Sequence, residues 1–355
     1  RLLIERGHKV RIFDRFCFGD GPIADLEKAG CEIVKGDIRK LADFPQLMDG
    51  VEGVIHIAGL ANDPSCDLDP LMALDVNLEA TKTLAQRAMH AGVRRFVFAS
   101  SCSVYGKGMF EMLDEHSPTN PVSVYAQSKL ESEHALFGLA SKTFEPVIAR
   151  PATLFGWSPR MRFDLAINLM VATASRNREI KVYGGGSQWR PFVHVRDAAR
   201  AFTDMLEAPS AKVAGEVFNV GSDKNNYRII DLAQLISGLV DNVDIEVVKD
   251  NEDPRSYNVQ FGKIESVLGF HPEWSAERGA LEIRDWLQKD PVDPFSAIHF
   301  NVRRMKELLA TPVALGGEPV SPRFVALSPP SIGEEEERAA IDVLRSGWLT
   351  TGAKV

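Results

Sequence analysis

Five short apolar runs in the first part of the chain constrain the fold most strongly, because helical patterns separate them. The runs occupy residues 9–14, 31–36, 53–58, 95–100 and 146–150. The intervening helical patterns occupy residues 23–29, 71–91 and 124–141. Near-continuous apolar strands are typical of a parallel sheet that is covered on both faces. The alternation therefore predicts an α/β fold with a Rossmann-like, doubly wound parallel sheet.

A tyrosine and a lysine four residues apart, Tyr125 and Lys129, lie on one face of the predicted helix 124–141. A lysine ammonium near a phenol favours the phenolate and lowers the phenol pKa from about 10 towards neutrality. A tyrosine tuned in this way can act as a general base. The spacing alone is weak evidence, because many helices contain it by chance.

Hydroxyl residues at the end of the strand 95–100 strengthen this interpretation. Ser100, Ser101 and Ser103 follow the apolar run, and ligands of an open parallel sheet bind at the carboxyl ends of its strands. A hydroxyl donor at a strand end, followed by a Tyr/Lys helix, indicates a site for oxidising an alcohol.

These residues lie in stretches that resemble the extended short-chain dehydrogenase/reductase family, in particular its NAD-dependent nucleotide-sugar epimerases and dehydratases. The resembling stretches include Ser-Ser-Cys-Ser-Val-Tyr-Gly at 100–106, Ser-Pro-Thr-Asn-Pro-Val-Ser-Val-Tyr-Ala-Gln-Ser-Lys at 117–129 and Trp-Arg-Pro-Phe-Val-His-Val-Arg-Asp at 189–197. The resemblance covers about residues 1–288 and implies a catalytic triad of Ser101, Tyr125 and Lys129. Ser101 is preferred because it stands four residues before Tyr105, where family members carry Ser or Thr.

NAD is the cofactor that the resemblance implies. Asp14 ends a predicted strand, where a carboxylate accepts hydrogen bonds from ribose hydroxyls and repels a 2′-phosphate. That disfavours NADP, although Arg15 follows directly and weakens the discrimination. The remaining cofactor-binding residues that the resemblance implies are Asp37, Ile38, Ala58, Gly59, Leu60, Asn77, Tyr125 and Lys129.

A nucleoside diphosphate sugar is the implied substrate. Arg190 and Arg255 match the family's diphosphate-contacting arginines, although each could instead form a surface ion pair. Thr153 stands where many relatives have a substrate-contacting Asn. Arg162 and Asn168 are further substrate candidates.

One departure from the family pattern disfavours dehydration. The resemblance implies that 4,6-dehydratases carry Asp-Glu directly after the catalytic Ser or Thr, whereas this chain has Cys102 and Ser103. Neither residue supplies a comparable general acid and base. Asp114 and Glu115 lie in a turn-rich stretch, and we expect them to be solvated.

The domain boundaries follow from these patterns. We expect an NAD-binding domain at 1–152, to which 190–230 return, a smaller α/β substrate-binding lobe at 153–189 and 231–288, and a linker at 289–326. The family's first strand and glycine loop would precede residue 1, so we expect the chain as given to bind NAD poorly. Residues 327–355 resemble the start of a PLP-dependent sugar aminotransferase; the PLP lysine would lie further downstream, and the alternative is a terminal helix.

Composition excludes several classes of protein. A net charge of −8 argues against general nucleic-acid binding, and the four cysteines show no paired metal spacing, so no metal site is expected. No apolar run reaches membrane-spanning length and no signal peptide opens the chain, which predicts a cytoplasmic location. By analogy with the family we expect a homodimer.

Four functional hypotheses stay open at this point. The leading one is an NAD-dependent nucleotide-sugar epimerase, acting at carbon 4 through a transient 4-keto intermediate. The second is a nucleotide-sugar ketoreductase or dehydrogenase with the same triad, in a bifunctional protein with a sugar aminotransferase. The third is a non-catalytic NAD-binding sensor. In the fourth, the aminotransferase defines the activity of the whole protein.

Overall fold

The computed structural model describes residues 1–108, 112–249, 255–290 and 292–310. Its strands are β1 (Arg11–Asp14), β2 (Glu32–Lys35), β3 (Gly53–His56), β4 (Arg95–Ala99), β5 (Glu145–Pro151), β6 (Thr153–Phe155), β7 (Glu179–Tyr183), β8 (Trp189–His194), β9 (Val217–Val220), β10 (Asn226–Arg228) and β11 (Asp244–Val248). Its α-helices are α1 (Leu2–Glu5), α2 (Ala24–Lys28), α3 (Asp63–Cys66), α4 (Pro70–Leu74), α5 (Ala80–His90), α6 (Val124–Gly138), α7 (Ala166–Asn177), α8 (Val195–Glu207), α9 (Ser210–Val213), α10 (Ile229–Ser237), α11 (Gly262–Leu268), α12 (Ala276–Lys289) and α13 (Asn301–Ala310). Residues 1–307 form one compact unit.

The first layer of the fold is a parallel sheet in the order β3-β4-β5-β9, and β1 and β2 form a separate parallel pair. Strand β4 shows why the sheet is buried on both faces. Phe96 and Phe98 pack towards Leu84 of α5 and Leu136 of α6, whereas Val97 packs towards Ala201 of α8. Helices thus cover both faces, which confirms the predicted α/β, Rossmann-like parallel sheet.

A smaller lobe carries its own hydrophobic core. Strand β8 pairs with β6 in parallel and with β10 antiparallel, and β7 pairs with β11 in parallel. The buried side chains between these strands and helices α7, α10 and α12 include Ile167, Val171, Leu232, Ile236 and Ile283. This core is separate from the two cores that flank the parallel sheet.

Some of the expected boundaries differ from the structure. Within 190–230, α8 and β9 do pack on the parallel sheet, but β8 and β10 belong to the lobe's sheet. Helix α11 lies in the expected lobe segment, yet its Ile264 packs in the core of the parallel sheet. The placement of these elements depends on packing between residues that are distant in the sequence, and local sequence patterns do not report such packing.

The expected linker 289–326 is also structured in part. Residues 297–299 form a 3₁₀ turn and α13 follows it. The Phe163 amide donates to the His299 carbonyl at 3.0 Å, and the Asn301 amide donates to Asp164 at 3.0 Å. Polar contacts of this kind leave no apolar periodicity in the sequence. The aminotransferase-like segment 327–355 lies outside the described residues.

None of the helices within the described ranges combines the length and the apolar composition that a membrane crossing requires.

Candidate active site

Helix α6 begins at the site because Ser123 caps its amino end. The Ser123 hydroxyl oxygen accepts a hydrogen bond from the Ala126 amide at 3.2 Å. Residues spaced by four then lie on one face of the helix. Two of them, Lys129 and Glu133, are 4% and 1% exposed, so this face points into the protein at the end of β4.

The three predicted catalytic residues converge at the carboxyl end of β4. The Lys129 ammonium donates to the Ala99 carbonyl at 2.9 Å, and its Nζ lies 5.9 Å from the centroid of the Tyr125 ring. The Ser101 hydroxyl caps the following 3₁₀ turn by accepting from the Ser103 amide at 3.1 Å. The Ser101 side chain also lies close enough to act on the Tyr125 phenol, whose pKa it lowers against the larger effect of burial. The geometry brings together a phenol, an ammonium and a serine hydroxyl.

The electrostatics of the pair differ from the sequence-based expectation. Burial raises the pKa of the Tyr125 phenol to about 12, against the opposing effects of the Ser101 hydrogen bond and the Arg162 charge. Burial likewise lowers the pKa of Lys129 to about 8. The expected fall of the phenol pKa towards neutrality is therefore wrong for the chain on its own, because loss of solvation outweighs the neighbouring charge.

Asn77 ties the loop after β3 to the catalytic helix. It lies in a π-helical turn, Asp75–Glu79, and is fully buried. Its Oδ1 accepts from the Leu60 amide at 2.7 Å, and its Nδ2 donates to the Leu60 carbonyl at 3.1 Å and to the Ser128 hydroxyl at 3.2 Å. This side chain therefore fixes residues 58–60 against α6.

Gly59 packs tightly against Asn77, beside Lys129. A Cβ at this position would lie 2.8 Å from Asn77 Oδ1 and 3.6 Å from Lys129 Nζ, so a side chain here would force Asn77 to shift. Glycine therefore lets the backbone of this loop lie directly against the Asn77 side chain.

The residues predicted to contact the adenosine already have protein partners. Asp14 is exposed at the end of β1, and its carboxylate accepts from the Phe16 amide at 2.6 Å. Burial alone would raise the pKa of Asp37, but Arg39, through hydrogen bonds and charge, holds it below the usual value. Arg15 Nη1 also lies 3.6 Å from Asp37 Oδ2. The roles of Asp14 and Asp37 at the cofactor stay predictions.

Ile38 packs at the edge of the sheet core, beside the cluster that contains Phe96. The role of Ile38 at the cofactor stays a prediction.

The two predicted diphosphate arginines lie side by side. Arg190 is 7% exposed, and its guanidinium donates to the carbonyls of Trp189 and Arg255. Arg255 forms an ion pair with Asp63, which also accepts a hydrogen bond from Ser123. Sequence reasoning missed Asp63; its one signal was Asn-Asp-Pro at 62–64, a typical helix start.

The other substrate candidates are Thr153, Arg162 and Asn168, and their surroundings differ. Thr153 begins β6 opposite Phe192, where it is partly accessible. Arg162 pairs with Asp164 at 2.9 Å, and its charge acts on Tyr125. Asn168 is buried and accepts from the Gly156 amide at 3.1 Å, so it stabilises the lobe from within.

The residues that follow Ser101 are structural. Cys102 is 1% exposed and its thiol donates to the Arg150 carbonyl at 3.1 Å; burial raises the pKa of that thiol. Tyr105 packs in the core as expected, and its hydroxyl donates to Asn219 Oδ1 at 2.8 Å. The sequence predicts a solvated Glu115, but its carboxylate accepts from the Asn219 amide at 2.7 Å and burial raises its pKa.

Comparisons with known proteins agree with this fold. A model of the NAD dependent epimerase/dehydratase family matches residues 1–221. The dTDP-D-glucose 4,6-dehydratase of Mus musculus is 26% identical over 276 residues, which cover 74% of this chain and 76% of the relative. The UDP-glucose 4-epimerase of Neisseria meningitidis serogroup C is 27% identical over 263 residues, which cover 67% of this chain and 78% of the relative.

A solved structure shares the fold. The UDP-glucose 4-epimerase of Thermotoga maritima, determined with UDP-glucose, superposes with a TM-score of 0.71 at 22% identity, covering 81% of this chain and 93% of that one. The family match spans more than half of the 355 residues. The chain therefore belongs to the NAD dependent epimerase/dehydratase family.

Proposed function

We propose that this protein is an NAD-dependent nucleotide-sugar epimerase that inverts carbon 4 through a transient 4-keto sugar. The observation that carries the proposal is the convergence of Ser101, Tyr125 and Lys129 at the end of β4. A nucleotide-sugar ketoreductase or dehydrogenase with the same three residues is the alternative.

The roles of the three residues follow from their chemistry. Tyr125 removes the proton of the sugar hydroxyl and later returns one, while Ser101 donates to the same oxygen. Lys129, whose ammonium lies beside Gly59, holds the nicotinamide ribose and stabilises the phenolate. When bound, NAD supplies the hydride acceptor and donor at carbon 4, and its cationic ring adds positive charge near the phenol. That added charge favours the phenolate, whose formation burial opposes in the chain alone.

The residues after Ser101 favour epimerisation over dehydration. Elimination of water needs a general acid and a general base beside the sugar. Cys102 is buried against the Arg150 carbonyl and its pKa is raised. Glu115, which directly follows Asp114, is engaged by the backbone of β9. Neither residue is available for that chemistry.

Substrate binding in this proposal uses both lobes. Arg190 and Arg255 bind the diphosphate, and Thr153 contacts the sugar. The phosphates would compete with Asp63 for Arg255, so Asp63 limits how tightly a nucleotide binds. We also propose a homodimer that packs through α4, α5 and α6; Leu71 of α4 is 77% exposed there.

The test uses the purified full-length enzyme and a panel of nucleotide sugars. An epimerase turns over without added cofactor, whereas a reductase consumes stoichiometric NADH or NADPH. Tyr125→Phe should lower kcat by about 10²- to 10⁴-fold, the usual contribution of a general acid–base group. Tyr183→Phe, an exposed tyrosine of β7, is the matched control and should leave kcat unchanged. Unchanged kcat in Tyr125→Phe would contradict the role of Tyr125, whereas Tyr125→Phe that leaves the biological activity intact while the wild type turns over none of the sugars would support the sensor hypothesis.

A further inference from the structure

Glu133 is a buried carboxylate one helical turn beyond Lys129, and the proposed reaction does not use it. It is 1% exposed. Its Oε1 accepts from Arg150 Nε at 3.0 Å and its Oε2 from Arg150 Nη2 at 2.6 Å. A buried ion pair is weak evidence for stability, because its desolvation offsets its attraction. A role in the neighbouring site is therefore worth testing.

Three residues on one face of α6 hold the three residues at the end of β4. The contacts are Tyr125 with Ser101, Lys129 with the Ala99 carbonyl, and Glu133 with the Ser100 hydroxyl. Glu133 is the last of the three residues along α6, and its contact fixes Ser100, which directly precedes Ser101. A shift of Ser100 would move the Ser101 hydroxyl relative to the phenol, and small displacements in such sites are costly.

Glu133 also lies one helical turn from Lys129 on the same buried face of α6, and it raises the Lys129 pKa against the larger, opposite effect of burial. The titratable and charged groups facing Lys129 are His56 of β3, Cys66 of α3, Tyr125 and Glu133 of α6, and Arg150 of β5 behind Glu133. Burial lowers the pKa of His56 to about 3 and raises that of Cys66 to about 12, so both are neutral at pH 7. Among these neighbours Glu133 is the one carboxylate, and it is held in an ion pair with Arg150.

We propose that Glu133 is a positioning residue for the site: through Ser100 it aims Ser101 at Tyr125, and through its charge it keeps Lys129 in the ammonium form. The inference rests on the proposed function for the roles of Ser101, Tyr125 and Lys129. It adds a fourth residue that touches neither the substrate nor the cofactor.

The chain offers a matched control in a second buried carboxylate–guanidinium pair, which joins β4 and β5. Glu145 and Arg95 are 5% and 8% exposed, and Arg95 Nη2 lies 2.8 Å from Glu145 Oε2. They lie at the amino ends of β5 and β4, whereas Lys129 contacts the carboxyl end of β4. Loss of this pair disturbs the same sheet without touching the site.

The experiment compares Glu133→Gln and Glu145→Gln in the full-length protein. The Lys129 side chain is titrated by NMR in protein labelled with ¹³C-lysine, with Lys129→Arg to assign its signal. We expect the Lys129 pKa to fall by about one unit in Glu133→Gln and to be unchanged in Glu145→Gln. The alkaline limb of kcat should move to lower pH by the same amount. If Glu133→Gln does not fold, Glu133→Gln/Arg150→Met, which buries neither charge, should show the same direction of shift.

Ser100→Ala tests the positional half, because it keeps the ion pair. We expect kcat to fall about 10-fold with the Lys129 titration unchanged. Wild-type titration of Lys129 in the Glu133 variants, or wild-type kcat in Ser100→Ala, would overturn the proposal. The titration needs no substrate, so a shift of the Lys129 pKa without epimerase activity would overturn the proposed function and leave the charge coupling standing.

Discussion

Lys129 carries its charge where water cannot solvate it. Its side chain is 4% exposed, and burial lowers its pKa from 10.5 to about 8. The folded state therefore binds fewer protons than the unfolded state between these two pH values. Stability from this group rises with pH across that window and is lowest below it. The residue thus costs stability at neutral pH, which is common for groups kept for function.

We predict that Lys129→Met abolishes turnover and changes the pH dependence of stability. The free energy of unfolding of the variant minus that of the wild type should be largest below pH 8. The difference should decline by about 1–3 kcal/mol as pH rises from about 8 to 10.5, because only the wild type regains stability there. Denaturant titrations across this pH range measure it.

Leu130→Met controls for packing in that measurement. Leu130 is the next residue of α6 and is 8% exposed, and the change adds no titratable group. Its difference from the wild type should be flat across the same pH range. A flat difference for Lys129→Met as well would show that the ammonium is better solvated than the structure indicates.

The amino end of α6 is linked through Asp63 to Arg255, one of the two arginines proposed to bind the diphosphate. Ser123 accepts from the Ala126 amide and donates to Asp63, and Asp63 pairs with Arg255. One hydroxyl therefore serves as a helix cap and as a brace for the arginine's partner. Comparison with a serine that only caps a helix separates the capping role of Ser123 from its contact with Asp63.

We predict that Ser123→Ala lowers the free energy of unfolding by about 1 kcal/mol, the usual value of a lost N-cap, and also raises KM for the nucleotide sugar. Ser275→Ala is the control, since Ser275 caps α12 by accepting from the Arg278 amide at 3.1 Å. It should cost similar stability with KM unchanged. Equal KM values for both variants would show that Ser123 does not act on Arg255.

The elements of the parallel sheet are those that sequence patterns predict best. Strand 95–100 and helix 124–141 correspond to β4 and α6 because apolar runs and a cap mark them locally. Strands β6 and β10 have only three residues each, and both are defined by their pairing with β8. Pairing over such distances leaves no periodic signal. The site follows the same rule: motif residues are predicted, whereas Asp63 and the Glu133–Arg150 pair emerge only from three-dimensional contacts.

At the scale of the whole molecule, the proposed reacting groups and Arg190, one of the proposed diphosphate arginines, come from different layers. Ser101 follows β4 of the parallel sheet and Tyr125 and Lys129 lie on α6, whereas Arg190 lies on β8 of the lobe. A nucleotide sugar bound to both would have its phosphates held by one layer and its sugar presented to the other. Sugar rotation during epimerisation is compatible with such anchoring, because the diphosphate stays fixed while the keto sugar turns.

The most direct measurement of the central claim follows deuterium at carbon 4 of the nucleotide sugar by NMR during turnover of the full-length enzyme. Hydride that leaves and returns within one site keeps the label on carbon 4. We expect the epimeric product to retain deuterium, with no net consumption of NADH or NADPH, and Tyr125→Phe to stop its formation. Exchange of the label with solvent, stoichiometric use of reduced cofactor, or unchanged product formation by Tyr125→Phe would contradict the account.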